Sequence, residues 1–355
     1  MQPIRFAIIG CGHIAQRHAQ HANHYGVLVA VCDVIRNKAE SLVASCQTNQ
    51  QENKQINDQS TNQYNNHLVI IYEEIDALLL DDLALDLIVI CTPNGLHSLH
   101  SIKALNAGYH VLVEKPMAIK TADCLLMMEA ATRADKRIFT VKQNRFNPPV
   151  VALKKAIDAG ALGKIFSIQI SCFWNRPAAY YKHSWHGSAD LDGGILFTQF
   201  SHFIDLLYWL FGDVKSVQAI AENFSHQGMI SNEDCGAVLM KLNSGAIVTL
   251  NYSVNSYRKN AEGSITVLAE KGTVKIGGEY LNTIAYQEME NGPLEISGED
   301  KGANQYGAYQ GSMSNHGAVY ESLVNALQKN TEYYATAFEA MKTVEIIERI
   351  YQSLF

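Results

Sequence analysis

Short β-branched, apolar runs alternate with amphipathic stretches through the first 145 residues. The runs 4–9, 27–32, 68–71, 86–91, 110–113 and 138–142 read as strands, and 13–24, 36–47, 74–80, 96–107 and 121–134 read as helices. That alternation predicts an α/β domain over residues 1–145, built on a doubly wound parallel sheet of the Rossmann type. One stretch breaks the rhythm. Twelve of the twenty residues in 47–66 are Asn or Gln, and no hydrophobic period runs through them. They read as a surface loop, an insertion between helix and strand.

After Pro148-Pro149 the pattern changes. A helix over 150–159 ends at Gly160, and strands are predicted at 164–174, 215–222, 235–242, 246–254, 263–269 and 272–277. Tight-turn residues separate them, as in Asn243-Ser244-Gly245 and Gly277-Gly278. Strands that follow one another through tight turns make a mostly antiparallel sheet. One helix, 194–211, interrupts the series, and two more, 315–328 and 334–352, close the chain. Residues 146–355 therefore read as an α+β domain with an open sheet, its last helix expected to pack back on the first domain. An open sheet leaves a face to cover, so a homo-oligomer, dimer or tetramer, is expected.

At 355 residues, two domains are the default. The net charge of -7 argues against nucleic acid as a partner. No apolar stretch reaches membrane-spanning length, and Met1-Gln2-Pro3 leads straight into the first strand, so neither a membrane anchor nor a signal peptide is expected. The seven cysteines are scattered, odd in number and without a CxxC pair. That suits reduced thiols in a cytoplasmic protein, with no disulfide framework and no metal site. Cys32 and Cys91 end apolar runs and read as small core residues.

The chemistry begins at the first turn. Ile4 to Ile9 runs into Gly10-Cys11-Gly12-His13-Ile14-Ala15, and Asp33 follows Gly12 by twenty-one residues at the end of the next apolar run. This is a dinucleotide-binding fingerprint in its strand–turn–helix setting. Gly10 permits the tight turn. Gly12 lets a pyrophosphate approach the N-terminus of the helix that His13 and Ile14 open, and Ala15 allows close helix–strand packing. Asp33 is placed to accept hydrogen bonds from the adenosine ribose. A carboxylate repels a 2′-phosphate, and residue 34 is Val, so NAD is expected in preference to NADP.

Ligands of a doubly wound sheet gather at the carboxyl ends of its strands. Thr92-Pro93-Asn94 ends the fourth strand, with His97 just beyond, and Glu114-Lys115-Pro116 ends the fifth. The first loop is expected to border the cofactor, with Asn94 reaching the ribose or nicotinamide, although His97 also reads simply as a helix-start residue. Lys115 would point to the nicotinamide, where a lysine can polarise a substrate hydroxyl and stabilise an alkoxide. Position alone equally allows a surface lysine beside a structural proline. On the helix 194–211, Thr198, His202, Asp205 and Trp209 fall on one face. His202 reads either as a proton acceptor or as a satisfied core histidine, and Asp205 as structural. The aromatic segment from Trp174 to Gly187, with Arg176 and Tyr180, suits an anionic, ring-bearing substrate, or else packs its rings on the sheet.

These parts resemble the glucose–fructose oxidoreductase / inositol dehydrogenase (Gfo/Idh/MocA) family of NAD(P)-dependent oxidoreductases over nearly the whole chain. The motifs are Gly10 to Ala15, Thr92-Pro93-Asn94, Glu114-Lys115-Pro116 and His202-Phe203-Ile204-Asp205-Leu206, in the family's order. The resemblance implies that Lys115 is catalytic with His202 assisting, and that Glu114 and Lys115 lie at the cofactor. A narrower likeness, to UDP-N-acetylglucosaminuronate 3-dehydrogenases, rests on Gln143-Asn144-Arg145-Phe146-Asn147-Pro148-Pro149-Val150, Tyr180-Tyr181, Trp185-His186-Gly187, Leu191-Asp192-Gly193-Gly194, Gln199 and Asn315-His316-Gly317-Ala318-Val319-Tyr320. It implies oxidation of a sugar 3-hydroxyl to a ketone, in some members with 2-oxoglutarate re-oxidising NADH. Gln143, Arg145, Arg176, Tyr180, Thr198 and Gln199 are then expected to hold the nucleotide sugar, beside Lys115 and His202. The chain departs from the pattern at Thr198, His186 and Ile195, where Asp or Asn, Arg, and Gly are usual. The expected mechanism has His202 accept the hydroxyl proton while Lys115 fixes the oxygen, or the two in exchanged roles. The rival readings are a dehydrogenase of a free sugar or cyclitol, a non-catalytic NAD-binding regulator, and a glycoside-cleaving enzyme using bound NAD.

Overall fold

The computed structural model describes residues 2–55, 68–298, 302–305 and 310–354. The chain forms two compact units, one of Met1–Ala118, Ala122–Val141 and His316–Ala337, the other of Ile119–Thr121, Lys142–Asn315 and Phe338–Phe355.

In the first unit the strands are β1 (Ile4–Ile9), β2 (Gly26–Cys32), β3 (Ile70–Tyr72), β4 (Leu87–Ile90), β5 (His110–Val113) and β6 (Ile138–Thr140). They form one parallel sheet in the order β3-β2-β1-β4-β5-β6. β2 and β4 are buried along their whole length, which explains why they are continuous apolar runs without alternation. The helices α1 (His13–Tyr25), α2 (Arg36–Gln55), α3 (Ile75–Leu80), α4 (His97–Asn106) and α5 (Thr121–Ala134) connect them. The strand order reverses between β1 and β4, and at such a point the chain leaves the two strands in opposite directions and opens a crevice. α2 continues to Gln55, into the Asn/Gln-rich stretch expected to be loop. Gln, Glu and Lys are good helix formers without any apolar period, so the absence of a pattern does not stop a helix already begun. Residues 56–66 of that expected loop lie outside the described residues.

The second unit begins with α6 (Pro148–Asp158), whose prolines occupy its first turn, where the missing N–H costs nothing. Its sheet consists of β7 (Ile165–Phe173), β8 (Val214–Glu222), β9 (Cys235–Leu242), β10 (Ile247–Ser253), β11 (Glu262–Ala269), β12 (Gly272–Gly277) and β13 (Thr283–Met289). The order is β13-β12-β11-β7-β10-β9-β8, and every pair is antiparallel except β7 with β10. A short ribbon, β14 (Ala303–Gln305) with β15 (Gln310–Met313), stands apart from it. Val248, Leu250 and Tyr252 of β10 turn inward and are buried, while Ile220, Leu239, Ile247 and Leu268 on the other face are exposed.

The stretch 194–211 is not one helix. After α7 (Ala178–Tyr181) upstream, the stretch forms α8 (Ile195–Thr198) and α9 (Ser201–Phe211). The Phe200 N–H bonds the Ile195 carbonyl five residues back, and the ring of Phe200 is fully buried near Trp174 and Tyr252. Packing of that ring interrupts the helical period between Thr198, at the end of α8, and His202, Asp205 and Trp209 on α9. Two helices close the chain. α10 (His316–Gln328) belongs to the first unit, packed on α1, and α11 (Ala337–Gln352), the last helix, belongs to the second. Among the described residues, no helix is long and apolar enough to cross a membrane.

α9 is pinned by a buried ion network. The Asp205 carboxylate accepts Arg145 Nε at 2.9 Å and a second Arg145 nitrogen at 2.8 Å, with Lys142 Nζ 3.1 Å away. Arg145 also donates to Glu339 of α11 at 3.0 Å, and its guanidinium lies 5.0 Å from the Trp209 ring centre. Burial pushes the Asp205 carboxyl up, but Arg145 and Lys142 outweigh it and hold the group well below the usual carboxylate range. Elsewhere in this unit Glu233 is buried with Tyr351 and Tyr252 hydroxyls 3.0 and 3.2 Å from its carboxyl, and burial raises its pKa from 4.5 to about 7.

Removing one side of the Asp205 network leaves the other charges buried and unpaired. Asp205→Ala is expected to destabilise the protein by about 3–5 kcal/mol in urea unfolding. A loss under about 1 kcal/mol would contradict a desolvated network. Glu233 carries the opposite sign. Its raised pKa gives stability that is complete below pH 4.5 and is lost as pH rises through about 7. Glu233→Gln is expected to remove a pH-dependent loss on the order of 3 kcal/mol between those limits. Identical urea midpoints against pH for the two proteins would contradict it.

Candidate active site

Gly10 adopts a φ of +91°, and a Cβ there would stand 2.6 Å from the Cys91 carbonyl carbon and 2.7 Å from the Thr92 nitrogen. Only glycine allows β1 to leave the sheet so close to the loop after β4. At Gly12 a Cβ would meet nothing within 4 Å, so the start of α1 is open. α1 has no side-chain cap, and its first N–H groups keep their donor capacity for a ligand. His13 is exposed and Ile14 half-buried at that end. Asp33 Oδ2 accepts the Cys11 N–H and Oδ1 the Ile35 N–H, both at 2.8 Å. Those bonds fix the carboxylate and leave each oxygen a further lone pair. An uncapped helix start, open space at its glycine and a fixed carboxylate at the end of β2 fit a dinucleotide.

The loops after β4 and β5 are tied together. His97 is buried with Nδ1 2.7 Å from the Pro116 carbonyl and Nε2 2.8 Å from the Thr92 carbonyl. His97, expected at the cofactor, lies between the Pro116 and Thr92 carbonyls and bridges Thr92-Pro93 to the Lys115-Pro116 segment. Thr92 Oγ1 is 3.1 Å from His100 Nδ1, and Asn94 is buried in the turn Asn94–Leu96.

Glu114 was also expected at the cofactor. Its carboxylate is buried, with Oε1 2.9 Å from His18 Nε2 and Oε2 accepting the Lys115 N–H at 2.9 Å. That carboxylate holds the backbone N–H of the next residue. Lys115 is half-buried just past β5 and is joined to Pro116 by a cis peptide bond.

In the second unit, His202 is buried on the first turn of α9. Gln199 is buried between α8 and α9, and its Nε2 donates to the Tyr180 hydroxyl at 3.2 Å. Arg176 lies 5.2 and 5.5 Å from the ring centres of Trp174 and Tyr180, and it donates to the Asn175 carbonyl at 2.6 Å and Asn260 Oδ1 at 3.3 Å. Arg176, Tyr180 and Gln199 thus form one contiguous group. His186 stacks on Trp185 and lies beside Tyr180, with ring centres 4.0 and 4.3 Å away. Gln143 is buried in the turn Gln143–Phe146.

Two expected substrate residues bond to acids of their own unit. Thr198 donates its hydroxyl to the Asp192 carboxylate. Arg145 directs its guanidinium at Asp205 and Glu339, tying α9 to α11. Sequence reasoning missed His18, the one polar residue among the buried alanines of α1, although that break in an apolar stripe marks a side chain needing a partner.

Two stretches of the chain match family descriptions, residues 4–142 an oxidoreductase family with an NAD-binding Rossmann fold and residues 150–275 the GFO/IDH/MocA C-terminal domain. The fold is similar to the WlbA dehydrogenase of Bordetella pertussis, solved with NADH and UDP-GlcNAcA, at a TM-score of 0.82 and 31% identity, covering 99% of this chain and 96% of that one. The 1-carboxy-3-chloro-3,4-dihydroxycyclohexa-1,5-diene dehydrogenase of Comamonas testosteroni is 32% identical over 52% of this chain, a match that spans 47% of its own length. An inositol 2-dehydrogenase of Salmonella paratyphi B is 26% identical over 77% of this chain and 74% of its own. With an NAD-binding Rossmann unit, the buried Glu-Lys-Pro turn after β5 and a matching C-terminal unit, this chain belongs to the GFO/IDH/MocA oxidoreductase family.

Proposed function

We propose that this protein oxidises the 3-hydroxyl of UDP-N-acetylglucosaminuronic acid to the 3-keto sugar, with NAD+ as the hydride acceptor. The observation that carries the substrate is the 31% identity, over 99% of the chain, to a dehydrogenase solved with that nucleotide sugar. The bound nicotinamide supplies the site to which hydride moves. The chain's own groups do the rest. His202 accepts the hydroxyl proton. Lys115 donates a hydrogen bond to the same oxygen and stabilises negative charge as it develops there. Arg176, Tyr180 and Gln199 hold the sugar or its carboxylate, for which a guanidinium between aromatic rings is suited. Asp33 selects NAD+, and α1 takes the pyrophosphate. The exposed Ile220, Leu239, Ile247 and Leu268 form a face that a second copy of the chain covers.

A second reading, oxidation of a free cyclitol or sugar, is favoured by the likeness to inositol 2-dehydrogenase. The test is to mix enzyme, NAD+ and UDP-N-acetylglucosaminuronic acid and follow NADH absorbance and the keto product, with and without 2-oxoglutarate. NADH formed without 2-oxoglutarate supports the proposal with cofactor release. Product formed only with 2-oxoglutarate supports it with cofactor recycled in place. Neither product nor NADH, together with turnover of inositol, would move the assignment to the second reading.

Lys115→Met is expected to lower turnover by about 10²- to 10⁴-fold while the Kd for NAD+ stays nearly constant. Unchanged turnover would remove Lys115 from the mechanism. By calorimetry the wild-type protein is expected to bind NAD+ at least about tenfold more tightly than NADP+, since Asp33 pairs with one ribose and repels the other's phosphate. Equal affinities would show that Asp33 does not select the cofactor.

A further inference from the structure

Glu114 is the one acid in the tight turn after β5, and what surrounds it comes from the far ends of the first unit. His18 of α1 places Nε2 2.9 Å from Glu114 Oε1, and its Nδ1 lies 3.0 Å from the Tyr320 hydroxyl. His316, the first residue of α10, places Nε2 3.4 Å from the same oxygen, with its ring edge-on to His18. His18, His316 and Tyr320 are completely buried. His316 makes no well-aligned hydrogen bond among the described residues. A buried imidazole so placed is costly unless its field is used, and Glu114 is the charge within reach.

With His18 neutral, the form its burial favours, the hydrogen bonds give one proton arrangement. Oε1 is a carboxylate acceptor, so His18 carries its proton on Nε2 and accepts the Tyr320 O–H at Nδ1. The other carboxylate oxygen, Oε2, holds the Lys115 N–H. Burial pushes the Glu114 carboxyl up, and the two imidazoles outweigh it, holding the group ionised well below the usual range. The ligand atoms of His18, Glu114 and His316 lie within 4.8 Å of one another, a spacing that would also suit a metal ion. The short His18–Glu114 bond and the use of Oε2 by the backbone instead point to protons between these groups.

We propose that Tyr320, His18, His316 and Glu114 are positioning residues for Lys115, a buried relay through which α1 and α10 fix the backbone of the lysine at the end of β5. The proposal rests on Lys115 acting in catalysis. It explains why helix α10, from late in the chain, belongs to the nucleotide unit. It also gives the Asn315-His316-Gly317 segment a role that no ligand contact is needed to supply. Glu114 holds one side of the Lys115 peptide, and His97 holds the Pro116 carbonyl on the other.

The test uses the full-length protein with NAD+ and UDP-N-acetylglucosaminuronic acid. The variants are Glu114→Gln, His316→Gln, Tyr320→Phe and Lys115→Met, with Glu114→Gln also combined with Lys115→Met. Glu114→Gln and His316→Gln are expected to lower kcat about 10- to 100-fold, the usual cost of losing an orienting partner, with KM and the Kd for NAD+ within about twofold of wild type. Tyr320→Phe, which deletes one hydroxyl and keeps the ring, is expected to lower kcat a few-fold and serves if the other variants fold poorly. Adding Glu114→Gln to Lys115→Met is expected to cost less than about twofold more, because the relay acts through the lysine. Trace acetylation of the lysines, read by mass spectrometry without substrate, is expected to change at Lys115 and at no other lysine in Glu114→Gln. Wild-type kcat in Glu114→Gln and His316→Gln, with Lys115→Met inactive, would overturn the relay alone. A weakened Kd for NAD+ in proportion to kcat would also overturn it, as would stoichiometric metal in the purified protein. Wild-type turnover by Lys115→Met would overturn the role of the lysine and the relay with it.

Discussion

The buried carboxylate of Glu114 is the constraint around which the nucleotide unit is arranged. A charge taken out of water must be met by donors on every side. Here they come from α1 and from the next peptide of the chain, with the His316 ring of α10 3.4 Å from the same carboxylate. Those three neighbours fix much else. They bring a helix from beyond residue 315 back to the unit that the first 141 residues build, and they set the backbone of Lys115 at the carboxyl end of β5. Gly10 imposes the matching constraint on the other side of the crevice. Its missing Cβ lets the turn after β1 lie against Cys91 and Thr92.

The second unit repeats the device with opposite emphasis. Asp205 is a buried anion enclosed by Arg145, Lys142 and Thr343, and the cluster joins α9, the turn Gln143–Phe146 and α11. His202 lies one turn from Asp205 on α9, so the network that pins the helix also fixes the backbone of the histidine. In both units a buried, partnered acid stands close in the chain to the residue proposed for chemistry.

Much of this was legible in the chain. The parallel sheet followed from six apolar runs separated by amphipathic helices, and the turn at Gly10 and Gly12 was recognisable because strand, turn, helix and Asp33 all agreed. The antiparallel pairs β9–β10 and β12–β13 lie at Gly-containing turns, whereas β7 between β10 and β11 is a long-range insertion that no turn announces. What escaped was set by long-range packing. The break between α8 and α9 follows from the burial of Phe200 beside Trp174 and Tyr252, which no local period records. The division of the last two helices between the units depends on His316 and Tyr320 meeting His18 some 300 residues away in the chain, 302 in the case of Tyr320. Arg145, His97 and Glu114 stand in motifs read as ligand-binding, and no local pattern shows their neighbours in the fold: Asp205 and Glu339, two backbone carbonyls, and His18, His316 and the Lys115 N–H.

The central claim is that hydride leaves the third carbon of a nucleotide sugar and arrives on the nicotinamide. The most direct measurement uses UDP-N-acetylglucosaminuronic acid carrying deuterium at that carbon, with NAD+, and examines the recovered reduced cofactor by mass spectrometry and NMR. The account predicts one deuterium at the fourth position of the nicotinamide ring, and a 3-keto sugar that has lost it. Unlabelled NADH, or a sugar that keeps its deuterium through turnover, would contradict it.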